Sequence, residues 1–379
     1  MLKKFFTYLL IFSFVAGQLI RLDIFWNFVP LLDVSAALFI AYHVLTKQFS
    51  WKRYFQQKWL LVFIGVLIAS NTINWGKYTL NENVAGNLYL IRFVIYSLLI
   101  GVNFKISWPK INIIGLIVSV IGILQFIFYH DFGYLKYQNW DEHFNRLAFP
   151  YLDPSFTGAI LLIFVIINIF IRGATPRRAT TLILTTELIA IFLTFSRATW
   201  ITGAIILFVI ICRRRGIRSI REIGGIVPII CIIVAISILL GKSGSYGNQL
   251  LRHETILSRT SSLQKGMEIW QKNPIFGVGF NHYKSYLIKS VADRKIIEKY
   301  QESHGLASVE NSFVFVMATG GLIGLIFFLI WIKPLLYSSD LSCRFIFVSI
   351  LVSSLFDNIF FYPFILLIIF MIISTQQSN

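Results

Sequence analysis

The chain has 379 residues, of which 56% are hydrophobic and only 13% are charged. Soluble domains average about 45–50% apolar and about 25% charged residues, so this composition excludes an ordinary soluble domain and a disordered protein. The formal charge of +17 would suggest nucleic-acid binding in a soluble protein. In a membrane protein, however, cytoplasmic loops collect Lys and Arg, so the topology decides what this charge means.

Apolar runs of about 20 residues predict about twelve transmembrane helices. They are centred near Phe12, Leu38, Gly65, Val94, Val118, Phe164, Ala190, Ile206, Val234, Gly321, Ile350 and Leu366. The first run follows Lys3 and Lys4 and lacks a small-residue cleavage site, so we expect a retained helix and cytoplasmic termini. The inner segments then carry 18 basic residues against two acidic ones. Topology therefore accounts for nearly all of the net charge, and nucleic acid is not an expected partner.

The predicted fold is all-α and polytopic, with a large extracytoplasmic loop between helices 9 and 10. Residues 1–240 form the first nine helices and include a first outer loop at 130–152. Residues 241–309 form the large outer loop, and residues 310–379 form the last three helices. Long outer loops in a membrane protein are the expected place for function. The Cys and His residues have no metal-ligand spacing, so neither a metal site nor a cofactor is predicted.

The large outer loop contains an amphipathic helix over residues 254–271, with Leu263, Met267 and Trp270 on its apolar side. Arg259 projects to the same side, and Arg252 has nearly the same angle if the helix extends back that far. An arginine in this position forms an ion pair, contacts lipid headgroups, or binds a phosphate through its planar guanidinium.

A Pro-Gly segment follows this helix, and Gly277 and Gly279 provide backbone freedom for a tight turn. It is not a dinucleotide fingerprint, because no strand precedes it and no third glycine follows. Farther along, Glu310 and Asn311 lie where the outer loop meets the tenth helix. Glu310 is either a general base or a carboxylate that favours the helix start through the helix dipole.

Gly320, Gly321 and Gly324 predict a small-residue surface that lets the tenth helix pack closely. A structural ion pair between Asp33 and Arg92 is also expected, because a charge inside a span needs a partner.

Two further arginines lie on the outer side. Arg197 is held in the Phe195-Ser196-Arg197 turn between two apolar runs, where it either snorkels to headgroups or binds an anion. Arg146 lies shortly before a proline-stiffened turn and is a second candidate to line a cavity on the outer side. His282 and His304 are expected polar contacts on the same face.

Three blocks in this order resemble the bacterial O-antigen polymerase and O-antigen ligase superfamily. They are the Phe195-Ser196-Arg197 turn; the Arg259 helix followed by Asn273-Pro274 and Gly277-Val278-Gly279; and Asn311 followed by Gly321 and Gly324. The resemblance implies transfer of a glycan from a polyprenyl diphosphate to an acceptor hydroxyl, at the outer face of the bacterial inner membrane and without a metal ion. It also implies that Arg197 and Arg259 bind the diphosphate, assisted by Arg252 and Arg146.

Glu310 stands where ligases of the superfamily carry a histidine before the asparagine. This departure favours a polymerase of lipid-linked oligosaccharide repeat units, for O-antigen, capsule or exopolysaccharide, with Glu310 as base and Asn311 orienting the acceptor. The expected partners are an undecaprenyl-diphosphate-linked oligosaccharide and membrane lipid, and a chain-length regulator protein is a candidate partner. The alternatives are a ligase that acts on lipid A-core and, in a different class, a polysaccharide flippase.

Overall fold

The structure is a computed structural model that describes residues 2–24, 27–104, 107–129, 131–138, 142–171, 177–213, 253–291, 308–338 and 340–376. The chain divides into two compact units. Unit 1 consists of residues 1–107, 139–141 and 257–379, and unit 2 of residues 108–138 and 142–256.

Unit 1 is predominantly helical. Its α-helices are α1 (Leu2–Ala16), α2 (Leu31–Leu45), α3 (Trp51–Phe55), α4 (Lys58–Asn74) and α5 (Leu80–Leu98), followed later in the chain by α10 (His253–Lys272, from Leu257 onward), α11 (Tyr283–Lys289), α12 (Ser312–Ile332), α13 (Leu341–Ser353) and α14 (Pro363–Gln376). Strands β1 (Arg21–Ile24) and β2 (Asn27–Pro30) pair antiparallel between α1 and α2. This small hairpin was not part of the all-α prediction. It lies in a stretch rich in aromatic and β-branched residues, which favour strands.

Unit 2 contains α6 (Trp108–Phe128), α7 (Pro154–Ile171), α8 (Arg177–Leu193) and α9 (Arg197–Arg213). The α6, α7 and α8 helices pack against one another, and α9 packs against α7 and α8. The buried side of α6 carries small and polar residues, namely Asn112, Gly115, Ser119, Gly122 and Gln125. Their spacing of three and four residues places them on one face of the helix.

Eleven of the twelve predicted apolar runs coincide with helices, and the run near Val234 lies outside the described residues. Five of the described helical segments are long and apolar enough to cross a membrane, and six further apolar helices are shorter. The number of twelve spans and the extent of the large outer loop remain predictions.

The predicted ion pair between Asp33 and Arg92 is confirmed. Arg92 Nε lies 2.6 Å from Asp33 Oδ2, and the Tyr96 hydroxyl donates to Asp33 Oδ1 at 2.8 Å. These contacts join α2 to α5 in an apolar setting, where an unpaired charge would cost about 3 kcal/mol or more.

Helix α12 is broken at Gly321, which has φ 69° and ψ −169°. Only glycine adopts this backbone region readily. A Cβ at Gly321 would overlap the carbonyl oxygen of Ile275 and stand 2.5 Å from the amide nitrogen of Phe276. The predicted role of Gly321 in helix packing is therefore wrong, because backbone from another segment occupies that space. Gly320 and Gly324 do face α4, where a Cβ would lie 3.4 Å from Leu67 and 4.0 Å from Val66.

The segment that fills the break comprises residues 274–279, hereafter the inserted segment. The amides of Leu322 and Ile323 donate to the carbonyls of Pro274 and Ile275, and the amides of Val278 and Gly279 donate to the carbonyls of Ala318 and Thr319. On its other side, residues 276–278 offer three successive carbonyls, which accept hydrogen bonds from Ser70, Asn74 and Tyr78. The inserted segment therefore satisfies backbone groups that the break in α12 would leave unpaired.

Candidate functional site

Arg259, Glu310 and Asp357 meet in unit 1. Arg259 Nε lies 3.2 Å from Glu310 Oε2, and Arg259 Nη2 lies 3.7 Å from Asp357 Oδ2. The three side chains are only 27%, 23% and 18% exposed. One guanidinium thus stands between two carboxylates from two different parts of the chain. The three groups are partly shielded from water, so their contacts are stronger than on an open surface.

The position of α10 sets where Arg259 lies. The helix forms as predicted, but its most buried side runs through Ser262, Gly266 and Ile269, while Leu263 and Trp270 are half-buried. A Cβ at Gly266 would lie 2.7 Å from Val314 Cγ1 and 3.0 Å from Val309 Cγ2. Because Gly266 has no side chain, α10 approaches the start of α12 closely. The buried side of α10 is therefore rotated from the predicted apolar side toward this contact.

Glu310 and Asn311 are held by hydrogen bonds on both sides. The Glu310 amide donates to Ser262 Oγ at 3.1 Å, which connects it to α10. Asn311 is the N-cap of α12, since its Oδ1 accepts from the amides of Phe313 and Val314 at 2.9 and 3.0 Å. Its Nδ2 donates to the Leu355 carbonyl at 3.0 Å. Asn311 is therefore engaged in capping and in holding the turn after α13.

That turn, residues 354–360, carries Asp357. The Ser312 amide donates to the Ser354 carbonyl, and the Phe360 amide donates to Ser312 Oγ at 3.2 Å. Sequence reasoning missed Asp357. The available signal was an acidic residue in the short connection between two late apolar runs, on the side predicted to face outward with Glu310.

In unit 2, Arg146 contacts the turn that immediately precedes Arg197. Arg146 is 8% exposed, and its guanidinium donates to the carbonyls of Thr194 and Phe195 at 2.9 and 3.3 Å. These carbonyls follow the end of α8, where a positive side chain satisfies otherwise unpaired acceptors. Arg197 begins α9 and is half-buried. Arg146 thus supports the turn that presents Arg197, and this contact differs from the direct diphosphate contact expected of it.

Of the remaining predicted residues, two are not described by the structure and one is buried among other side chains. Arg252 and His304 lie outside the described residues. His282 is 1% exposed, stacked on Tyr78 with ring centroids 4.4 Å apart, and its Nδ1 contacts the Phe280 carbonyl at 3.0 Å. His282 therefore makes a polar contact, but within the protein, because the turn after the inserted segment buries it; its position on the outer face stays a prediction. This burial lowers the pKa of the imidazole.

Within the described part of the chain, no three His, Cys, Asp or Glu side chains are grouped as metal ligands. What the Arg259 cluster offers instead is a guanidinium suited to an anion, next to two carboxylates able to accept a proton. The described residues thus form a helical membrane protein in which one guanidinium contacts two carboxylates.

Comparison with known families specifies this class. Residues 179–329 match the family described as O-Antigen ligase. The matched region contains Arg197, Arg259, Glu310 and the inserted segment. It confirms the resemblance to the O-antigen ligase and polymerase superfamily, whose activity is glycan transfer of the ligase or polymerase type. No protein of curated function matches the chain.

Proposed function

We propose that this protein polymerises lipid-linked oligosaccharide repeat units at the outer face of the bacterial inner membrane. The observation that carries the proposal is the contact of Arg259 with Glu310 inside the region that matches the family. It combines a cation for a diphosphate with a carboxylate for an acceptor hydroxyl, and glycan transfer from a lipid diphosphate needs both.

In the proposed reaction, Glu310 accepts the proton of an acceptor sugar hydroxyl. The hydroxyl oxygen forms a bond to the anomeric carbon of the growing chain, and the bond from that carbon to the diphosphate oxygen breaks. The electron pair leaves on the undecaprenyl diphosphate, whose charge Arg259 offsets by charge-assisted hydrogen bonds. This transfer uses no metal ion or cofactor, as the resemblance implies.

In the structure Arg259 already contacts two carboxylates, and this adds a step to the proposed reaction. A diphosphate that binds the guanidinium must compete with Glu310 and Asp357, which hold it at 3.2 and 3.7 Å. Once the diphosphate takes over Arg259, Glu310 loses its cationic neighbour and becomes a stronger base. Donor binding would thereby activate the base, so an enzyme without a donor would not deprotonate acceptors or water.

As the resemblance implies, Arg197 is also proposed to bind diphosphate, with Arg146 supporting the turn that carries it, and Arg252 is proposed as an assisting residue. Asn311 is proposed to orient the acceptor through the turn it caps. The glutamate at position 310 favours a polymerase over a ligase, while the description of the matched family keeps the ligase as the alternative.

A flippase is the candidate from another class, and the break in α12 favours it, because transporters use broken helices at their substrate sites. In this chain the inserted segment already occupies the free backbone groups at the break. The break is therefore better suited to a rigid scaffold than to a transport site.

The test is a reconstituted assay with a purified lipid-linked repeat unit, read out as polymer length. We expect Arg259→Ala and Glu310→Gln to abolish long polymer. Glu268→Gln is the matched control, because Glu268 is exposed on the same helix and accepts a hydrogen bond from the neighbouring Gln264 Nε2 at 3.0 Å. Wild-type polymer from both site variants, at equal membrane levels, would overturn the assignment. Adding lipid A-core as acceptor separates ligase from polymerase.

A further inference from the structure

Unit 2 contains a carboxyl group that the proposed reaction does not use. Glu187 lies on α8 and is completely buried, at 0% exposure. Its Oε2 accepts one long hydrogen bond, from Asn168 Nδ2 at 3.3 Å, and the same Nδ2 also contacts the Thr180 carbonyl at 3.4 Å. The two N–H groups of one amide thus serve a carboxyl group and a backbone carbonyl, both at long distance.

The surroundings of Glu187 have too many acceptors. Glu187 Oε1, Asn168 Oδ1 and Asn112 Oδ1 are all buried and have no hydrogen-bond partner in the described part of the chain. Asn168 is 0% exposed and Asn112 is 2% exposed. Each unpaired buried polar group costs about 1–3 kcal/mol, and a charged one costs more. Three such atoms on packed helices favour the binding of a cation or a hydrogen-bond donor there.

Glu187 reaches the buried faces of two neighbouring helices, α6 and α7. A Cβ at Gly115 would lie only 2.7 Å from Glu187 Oε1, so the carboxyl group reaches the backbone of α6. Asn112 lies three residues before Gly115 on the same buried face, which puts their Cβ positions about 5–6 Å apart. Asn168 reaches the carboxyl group from α7. The absence of a side chain at Gly115 thus lets Glu187 and Phe164 both approach α6, one helical turn from Asn112.

The helices provide few charges to compensate for Glu187. The charged residues of α6, α7, α8 and α9 other than Glu187 are Lys110, Arg177, Arg178, Arg197 and Arg213. All of them lie in the first or last turn of their helices. Arg177 and Arg178 precede Glu187 by nine or ten residues, about 14–15 Å along α8. Lys110 is exposed near the start of α6.

We propose that Glu187, Asn168 and Asn112 form a binding site for a small monovalent cation, either Na⁺ or a proton. A carboxylate with two amide oxygens is the ligand type that hard cations prefer. A proton on Glu187 would likewise convert one unpaired acceptor into a donor for a neighbouring amide oxygen. The site is independent of the Arg259 cluster and of the proposed glycan transfer.

The first experiment measures ²²Na⁺ binding to the purified full-length protein, and its thermal unfolding in Na⁺ or choline at constant ionic strength. If Na⁺ is the occupant, Na⁺ binds saturably and raises the unfolding temperature, since a ligand that binds only the folded state stabilises it. Glu187→Gln abolishes both effects. Asn112→Ala keeps the carboxyl group and weakens Na⁺ binding at least tenfold, while Glu268→Gln behaves as wild type.

The second experiment tests the proton as occupant in Na⁺-free buffer at neutral pH. A protonated carboxyl group gives an infrared carbonyl band that shifts in ²H₂O and is absent in Glu187→Gln. Should Glu187→Gln fail to fold, ²²Na⁺ binding to wild type and to Asn112→Ala still decides the sodium case. The proposal is overturned if wild type binds no Na⁺ and shows no protonated carboxyl band attributable to Glu187.

Discussion

Replacing Gly321 by alanine tests the inserted segment most directly. The new Cβ would overlap the Ile275 carbonyl oxygen and would lie 2.5 Å from the Phe276 amide nitrogen, and both are backbone atoms that cannot rotate away. The φ of 69° adds strain of about 1–3 kcal/mol for a residue with a side chain. If residues 274–276 move away, the hydrogen bonds from Leu322 and Ile323 are lost as well, at about 1 kcal/mol each.

The combined loss is about 3–5 kcal/mol, which is large compared with most single substitutions. We expect Gly321→Ala to lower the unfolding free energy by this amount in a reversible denaturation assay in detergent. Gly324→Ala is the matched control, because the nearest atom to its Cβ would be 3.7 Å away. We expect it to change stability by less than about 1 kcal/mol.

The same substitution should reduce polymer synthesis, because the inserted segment connects the end of α10, which carries Arg259, to α12, which follows Glu310. Equal stability of Gly321→Ala and Gly324→Ala would refute the reasoning. It would mean that the backbone pairing between residues 274–279 and α12 does not form in the membrane-embedded protein.

Three further predictions concern other contacts. Arg92→Leu should destabilise the protein by about 3–5 kcal/mol because it leaves the largely buried Asp33 carboxylate without its cation and with Tyr96 as its remaining hydrogen-bond donor. Adding Asp33→Leu should restore much of the loss in the same denaturation assay. An additive double variant would contradict the pairing. Arg146→Ala should lower thermal stability and polymer yield together, since two carbonyls lose their charged donor; unchanged stability would show that Arg146 does not support the turn before α9. Burial lowers the pKa of His282, so as the pH falls the unfolded chain binds a proton near pH 6.5, before the folded protein does. The free energy of unfolding should therefore be at its full value above about pH 6.5 and should fall as the pH decreases below it. His282→Gln should flatten this dependence in denaturation curves between pH 5 and 8, and a wild-type stability that does not change over this range would contradict the burial of the imidazole.

The sequence predicted the helices well because the length of an apolar run is a local property. The same reasoning paired Asp33 with Arg92, since a charge inside an apolar run requires a partner wherever the fold places it. It also selected Arg259 and Glu310, which lie about 50 residues apart in the chain and 3.2 Å apart in space.

What the sequence could not provide depends on tertiary contacts. The backbone of Gly321 is set by residues 274–276, and no pattern near position 321 distinguishes a break in a helix from a packing surface. Asp357 was missed because an acidic residue in a short connection is a weak signal until its distance to Arg259 is known. The prediction of the buried side of α10 was wrong in detail because Gly266 determines how closely that helix approaches α12. A glycine contributes little to a hydropathy pattern.

The inserted segment also has a consequence for how the chain assembles during synthesis. Ser70, Asn74 and Tyr78 leave the ribosome about 200 residues before the carbonyls they bind at positions 276–278. Until then these donors need water or temporary partners, because unpaired polar groups are costly in lipid. Helix α12 in turn completes its backbone pairing only after the segment is in place. The early helices therefore cannot complete their packing before residues 276–278 are synthesised, and the last third of the chain completes the structure of the first third.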